Sequence, residues 1–407
     1  MKYLLKRAVA WSALSVIYSA TIILSKVFGL RKRKVWTNSG NILVVGTFHN
    51  PNWFFAHILP LSMSETGEII LVCDERVADV EGVTYECPPV WMSRLFSRAL
   101  AKFIWTIRCG FKYRPDLYMG YHIFPAAITA LIAARIFNRP SCYQDTSGPL
   151  ELEGGGWAAE NPLLVALGGA SAWIEKLVFA VVRQFDLVIV RGCDARDFIR
   201  KTGYSREIAI ITGSVEDDVL LKDLDEREYD LVFVGRLTEY KRPDQFVRLV
   251  TSLKEEFPGI RAAMIGDGPD RGLLEQMAVQ SGVNESITFF GRISNVSDIV
   301  SNSKIFILTS RWEGLSIAMI EAMSVGTVAV VVDVGDLKDL VDHANNGYVV
   351  GQDQHATMVS YVSGLLNESD IWRKFSIAAN KDALEMSGRN NISRKWAIHI
   401  EKLINTE

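Results

Sequence analysis

Short continuous apolar runs, rich in β-branched residues and separated by longer segments of helical periodicity, recur along this chain and constrain its fold more than any other feature. NILVVGTF (41–48), EIILVCD (68–74), DLYMGY (116–121), PSCYQ (140–144), DLVIV (186–190) and EIAIIT (207–212) make one block, with 125–137 and 163–183 reading as intervening helices. DLVFVG (230–235), RAAMIG (261–266), SITFFG (286–291), KIFILTS (304–310) and TVAVVVD (327–333) make a second. A strand that is apolar on both faces needs a sheet covered on both sides, and alternation with helices makes that sheet parallel. The expected fold is α/β, two doubly wound Rossmann-like domains facing a central cleft. A length of 407 residues accommodates two domains of ordinary size. The acidic stretch EDDVLLKDLDEREY breaks the alternation. It divides the chain into a first domain at 38–215, a linker at 216–229 and a second domain at 230–388, followed by a C-terminal segment at 389–407.

The N-terminal 1–35 stands apart. Eighteen uncharged residues (8–25) lie between Lys2, Lys6 and Arg7 on one side and Lys26 with Arg31-Lys32-Arg33-Lys34 on the other. Eighteen is the short end of a spanning helix. Ser12, Ser15, Ser19 and Lys26 share a helical stripe, which suits a helix lying in the membrane interface. Spanning, interfacial and ordinary core helices all remain open, and the positive charge that follows would keep the body on the cytoplasmic face, as a peripheral or single-helix-anchored protein. In VWMSRLFSRALAKFIW (90–105), Arg94, Arg98 and Lys102 recur every four residues, as a solvated or a membrane-facing helix would have them.

Charge sorts the partners. The net charge is −3, yet residues 1–120 carry 15 Lys/Arg against 8 Asp/Glu. No basic patch in the C-terminal half could hold a phosphate backbone, so nucleic acid is excluded, and the basic first domain points to an anionic membrane surface. The five cysteines form no CxxC and read as reduced thiols.

In the second block, unusual residues gather at the strand ends, where open α/β sheets bind ligands. Gly235, Arg236 and Lys241 follow one strand, Gly266-Asp267-Gly268-Pro269 the next, and RWEGLSIAMIEAM (311–323) a third. If a helix begins near Glu313-Gly314, its eight residues to Glu321 advance about 12 Å. That is too far for an acid/base pair on one bond, where about 5–9.5 Å is wanted, but right for gripping two ends of an extended polar ligand. The free amides of Gly314, Leu315 and Ser316 would hold an anion between them. Arg236 and Lys241 would supply the charge that a diphosphate needs. A nucleotide sugar has this pattern: hydroxyls at both ends and a diphosphate between.

These motifs, VGRLTEYKRPD (234–244), IGDGP (265–269), FFGRIS (289–294), EGLSIAMIEAMSVGTVAVVVDVGDLKDLV (313–341) and NGYVV (346–350), resemble the donor domain of retaining GT-B glycosyltransferases, in particular glycosyltransferase family 4 with its E-x7-E spacing. The resemblance implies that Glu313 contacts the transferred sugar, Glu321 binds the ribose, Arg236 and Lys241 hold the diphosphate, and the backbone near Arg292-Ile293 meets the base. It further implies that His122, in PDLYMGYHIFP (115–125), faces the reaction centre, with His49 an outside candidate. The loop Gly46-Thr47-Phe48-His49 lacks the Gly-Gly pair common in relatives. The C-terminal 389–404 is expected to cross back to the first domain.

The expected activity is transfer of a hexose-type sugar, with retention, from a nucleotide-diphosphate sugar to a hydroxyl on a glycan or lipid-linked acceptor in cell-envelope synthesis. It would use no metal and no cofactor beyond the donor, for which family frequency favours UDP. Asp223-Leu224-Asp225 lies in the linker and is discounted as a metal site. The alternatives are an epimerase or hydrolase on the same fold and a non-catalytic, membrane-tethered nucleotide-sugar-binding protein.

Overall fold

The computed structural model describes residues 2–29, 40–48, 51–158, 161–219 and 221–405. The basic run 31–34 and His49 lie outside them. The chain divides into two compact units, Met1–Gly213 with Ile392–Glu407, and Ser214–Asn391.

The first unit holds seven parallel strands, β1 (Ile42–Val45), β2 (Ile69–Val72), β3 (Val83–Glu86), β4 (Leu117–Tyr121), β5 (Ser141–Gln144), β6 (Leu187–Val190) and β7 (Glu207–Ile210), in the order β3-β2-β1-β4-β5-β6-β7. Alternate side chains separate two cores. Ile42, Val44, Leu117 and Met119 face the helix Pro51–Ser62 and the C-terminal helix Arg389–Asn405, whose Ile392, Trp396 and Ile400 are fully buried there. Leu43, Val45 and Tyr118 face the helices Arg98–Tyr113 and Ile128–Phe137. On that same face the helix Ala172–Val182 and the N-terminal helix Lys2–Phe28 extend the layer over β5 and β6. A hydrogen bond between His399 and Glu207 (2.7 Å) and an ion pair from Lys402 to Glu207 (2.8 Å) hold the C-terminal helix to β7.

The second unit holds six parallel strands, β8 (Tyr229–Val234), β9 (Ala262–Ile265), β10 (Ile287–Gly291), β11 (Ser303–Leu308), β12 (Val328–Val332) and β13 (Gly347–Val350), ordered β10-β9-β8-β11-β12-β13. Adjacent residues of β8, Leu231, Val232 and Phe233, are all fully buried, so helices cover both sides of this sheet too.

The continuous apolar runs correspond to strands. β3 carries no such run: VTYE is a partly exposed edge strand with a charged end. The helical segment 163–183 holds two helices, Pro162–Val165 and Ala172–Val182, separated where Gly168 (φ 65°) and Gly169 (φ 147°) adopt backbone that other residues avoid. Segment 216–229 packs into the second unit. Arg227 there is buried, donates to the carbonyls of Ser303 (2.7 Å) and Val325 (2.8 Å), and stacks over Trp372; burial draws its guanidinium down to about 10. Asp223 caps the 3-10 turn Leu224–Glu226. Lys102 is no surface residue: its ammonium is buried, bonded to the carbonyl of Gly46 (3.1 Å), Thr47 Oγ1 (2.7 Å) and Asp74 (2.8 Å). It props the loop after β1.

Candidate functional site

At the carboxyl edge of the second sheet, the loops after β8 and β9 are laced together. Gly235 N donates to Ile265 O (3.0 Å), Leu237 N to Asp267 O (3.1 Å) and Asp270 N to Leu237 O (3.1 Å). Two glycines make this approach possible. A Cβ on Gly266 (φ 135°) would stand 1.8 Å from Gly235 O, and one on Gly268 would stand 2.2 Å from Leu237 O. Gly266 and Gly268 therefore serve loop-to-loop packing. Gly235 has room, its nearest neighbour a Phe233 ring atom at 3.5 Å.

The loop after β8 also meets the loop after β11. Arg311 N donates to Tyr240 O (2.8 Å), Thr309 Oγ1 to Arg242 O (2.9 Å), and Tyr240 stacks on Trp312 with centroids 6.3 Å apart. Across this seam Lys241 Nζ donates to Glu313 Oε1, which also accepts from Ser310 Oγ (2.7 Å). The side chains of Lys241 and Glu313 are 18% and 11% exposed, so the pair is largely shielded and held from two directions. Arg236, on the same loop, is exposed. The loop after β12 closes against Glu313 from below: a Cβ on Gly335 (φ 54°) would stand 2.0 Å from Glu313 O.

The helix after β11 differs from expectation. It runs Ile317–Ser324, with Ser316 as N-cap accepting from Met319 N, so Glu313 and Gly314 precede it. Gly314 and Ser316 together explain the delay, because a glycine is a poor first-turn residue while a serine side chain substitutes for the missing turn. The 12 Å helical rise between the two glutamates does not apply, since only residues 317–321 are helical. The amides of Gly314, Leu315 and Ser316 donate to no described residue, and those of Ile317 and Ala318 add two more at the helix start.

Glu321 is one turn into the helix, flanked by buried Ile320, Ala322 and Met323. No described side chain bonds its carboxylate. Burial pushes this carboxyl up to about 7, while partial contact with solvent remains. A half-buried acid without a partner at the rim of a loop cluster is a group waiting for hydrogen-bond donors.

In the first unit His122 follows β4 with φ 62° and N-caps the short turn Ile123–Ala127. Its Nδ1 lies 3.3 Å from Glu151 Oε2 and 3.0 Å from Thr146 Oγ1, and its ring stacks on Trp53 with centroids 6.2 Å apart. Desolvation opposes protonation, but the charge and hydrogen bond of Glu151 outweigh it and hold the imidazole above its ordinary value. Glu151 itself is buried; desolvation is overcome by His122 and by the main-chain amide of Ile123, so its carboxyl stays below the usual range. Nearby Asp145, desolvated and beside that negative charge, is pushed well up, and buried His57 is driven well down by desolvation and by Arg191. Glu151, Thr146 and Trp53 were not singled out from sequence. Glu151 lies in GPLELEGGG, where an acid among glycines is the one available signal.

Residues 221–382 match the family described as Glycosyl transferases group 1. An uncharacterised glycosyltransferase of Haemophilus influenzae is 29% identical over 147 residues, which cover 36% of this chain and 42% of that protein. A Campylobacter jejuni enzyme, the GalNAc-alpha-(1->4)-GalNAc-alpha-(1->3)-diNAcBac-PP-undecaprenol alpha-1,4-N-acetyl-D-galactosaminyltransferase, is 21% identical over 244 residues, 58% of this chain and 67% of that one. The chain spans less than half the length of the first curated relatives it matches. Anabaena HepE, solved in complex with UDP, superposes with a TM-score of 0.70 at 14% identity, covering 89% of this chain and 100% of its own. That likeness shows the fold: the two units are the doubly wound domains of the GT-B architecture.

Proposed function

We propose that this protein is a retaining glycosyltransferase that moves a hexose-type sugar from a nucleotide-diphosphate donor to a hydroxyl of a glycan or lipid-linked acceptor in cell-envelope synthesis. The observation that carries the proposal is the shielded Lys241–Glu313 pair beside main-chain amides that bond no described residue, on the loops that the group 1 match covers. Lysine has three N–H donors. One is used on Glu313, and the others remain for a diphosphate oxygen.

In this scheme Arg236, Lys241 and the amides of residues 314–318 neutralise the departing diphosphate. Removing one such donor typically costs about 3 kcal/mol of transition-state stabilisation. Glu313, its carboxylate fixed by Lys241 and Ser310, accepts from hydroxyls of the transferred sugar. Glu321 accepts from the ribose diol, which satisfies its exposed lone pairs. The base lies against the backbone near Arg292-Ile293. The acceptor oxygen attacks on the face from which the diphosphate leaves, and a departing phosphate oxygen takes its proton, so the configuration is retained without a protein nucleophile. Because side chains and amides carry the charge, the scheme needs no metal. His122, steadied by Glu151, is the first unit's candidate for a catalytic role. UDP is the preferred nucleotide, consistent with the UDP complex of the Anabaena structure. The polyprenyl-linked acceptor in the Campylobacter relative's name supports a lipid-linked acceptor.

A panel of nucleotide sugars scored by thermal shift identifies the donor, because a ligand that binds only the folded chain raises its melting temperature. Nucleotide release should then require an acceptor. Product formed from donor alone would replace transfer by epimerisation or hydrolysis, and a shift without turnover under any acceptor would leave only binding.

Gly235 offers a finer test. Gly235→Ala meets nothing closer than 3.5 Å and is expected to keep stability within about 0.5 kcal/mol. If the diphosphate approaches that backbone, the same methyl should raise the donor KM severalfold. An unchanged KM would remove Gly235 from the binding surface.

A further inference from the structure

The N-terminal helix Lys2–Phe28 has two opposed faces with unlike fates. Its inner face, Ala10, Leu14, Tyr18, Thr21 and Ser25, is buried against the helices Ile128–Phe137 and Ala172–Val182. Polar and aromatic contacts pin it along its length: Tyr3 Oη donates to Gly168 O (3.2 Å), Trp173 Nε1 to Ser15 Oγ (3.2 Å), Trp11 stacks on Trp173 (6.5 Å) and Tyr18 meets Phe124 edge-on (6.4 Å). Its outer face is a row of Leu5, Val9, Val16, Ile23 and Val27, each between 58% and 67% exposed. These positions differ by four or seven, so they fall on one line about 33 Å long. A soluble surface helix would carry charge there. This one carries none between Arg7 and Lys26, and no acidic residue anywhere.

A spanning helix would bring its neighbours with it, because the central turns are the ones docked on the domain. Those neighbours carry Arg135, Glu175 and Lys176, which a hydrocarbon interior would not accept. A second apolar and basic surface lies on the same face of the seven-stranded sheet. The helices Val90–Leu95 and Arg98–Tyr113 expose Trp91, Leu95 and Phe111, and also Arg94 and Arg98. A second copy of the chain fits this surface poorly, since a symmetric contact would oppose like charges.

We infer that this face of the first unit docks on an anionic bilayer, with the N-terminal helix lying in the plane of the interface, its outer row immersed and Lys2, Lys6, Arg7 and Lys26 against lipid phosphates. The inference concerns the first unit alone and stands whether or not the second unit transfers sugar. It is tested with the full-length protein and vesicles of phosphatidylcholine with and without phosphatidylglycerol. Flotation should require phosphatidylglycerol and weaken with salt, and neutralising each lysine or arginine should lower the partition constant about fivefold. Alkaline carbonate should release the protein. The triple variant Leu5→Asp, Val16→Asp, Ile23→Asp changes only exposed positions and should lose partitioning on the order of a hundredfold with an unchanged melting curve. Retention through carbonate would show a spanning helix and overturn the inference. So would wild-type flotation by the triple variant, flotation that needs no phosphatidylglycerol, or absence of flotation, with or without concentration-dependent dimerisation.

Discussion

Lys241→Ala is expected to lower turnover by about two to three orders of magnitude, the usual consequence of removing one charge-stabilising donor from a leaving group. The side chain also stabilises the resting protein, because its loss leaves the shielded Glu313 carboxylate with Ser310 as its remaining partner. Breaking one half of such a pair destabilises through the charge left behind, which replacing both halves avoids. The two contributions therefore separate in a double-mutant cycle. Lys241→Ala and Glu313→Ala should each lower the melting temperature while the chain still folds, and the double variant should recover most of the lost stability. Turnover should not recover: both single variants and the double should lie near one low floor, as groups acting together do. Near-normal turnover in Glu313→Ala, or restored turnover in the double variant, would remove the pair from the chemistry.

Glu321→Gln should strengthen the fold while weakening donor binding. The folded carboxyl is raised to about 7 by burial, above its unfolded value near 4.5. The folded state therefore holds that proton more tightly than the unfolded chain. Nothing is lost below about pH 4.5, the cost grows as pH rises towards 7, and it is complete above. The shift corresponds to about 3 kcal/mol. Discounted for the solvent that still reaches the carboxylate, it is about 1–2 kcal/mol. The amide escapes this cost, so the variant should melt several degrees higher at about pH 8 and no higher at about pH 4.5. Donor affinity should move the other way. A ribose diol donating to a carboxylate loses about 1.5–3 kcal/mol when the charge goes, roughly ten- to a hundredfold in Kd. Wild-type affinity should strengthen through pH 7 as the acid ionises, and that of the variant should be flat. A variant that binds donor normally would show that Glu321 does not meet the ribose.

Much of this architecture was legible because it depends on local composition. LVFV (231–234) and IFIL (305–308) are apolar at every position, which only a doubly covered parallel strand tolerates. The edge strand VTYE had no such run and stayed hidden. The helix after Glu313 starts about one turn later than the sequence pattern suggests, because Ser316 caps it in place of a backbone turn. Lys102 resembled its neighbours Arg94 and Arg98 in spacing, yet its ammonium turns inward beneath the Gly46-Thr47 loop. Periodicity reports which side of a helix a residue occupies, not whether a buried acceptor lies within reach.

The sequence alone determined the alternation of strands and helices, the two sheets they build, and the gathering of Gly, Arg, Lys and Glu at one set of strand ends. Those properties follow from side-chain polarity and β-branching along a contiguous stretch. Only the tertiary structure decided that Lys241 and Ser310, 72 and 3 residues from Glu313, share one of its oxygens. It alone decided that Glu321 is left without a partner among the described residues, that Glu151 steadies His122, and that the apolar N-terminal helix buries one face and exposes the other. Apart from the local Ser310 contact, each of these depends on what segments distant in the chain bring, or fail to bring, within reach, and that is set by packing rather than by any local pattern.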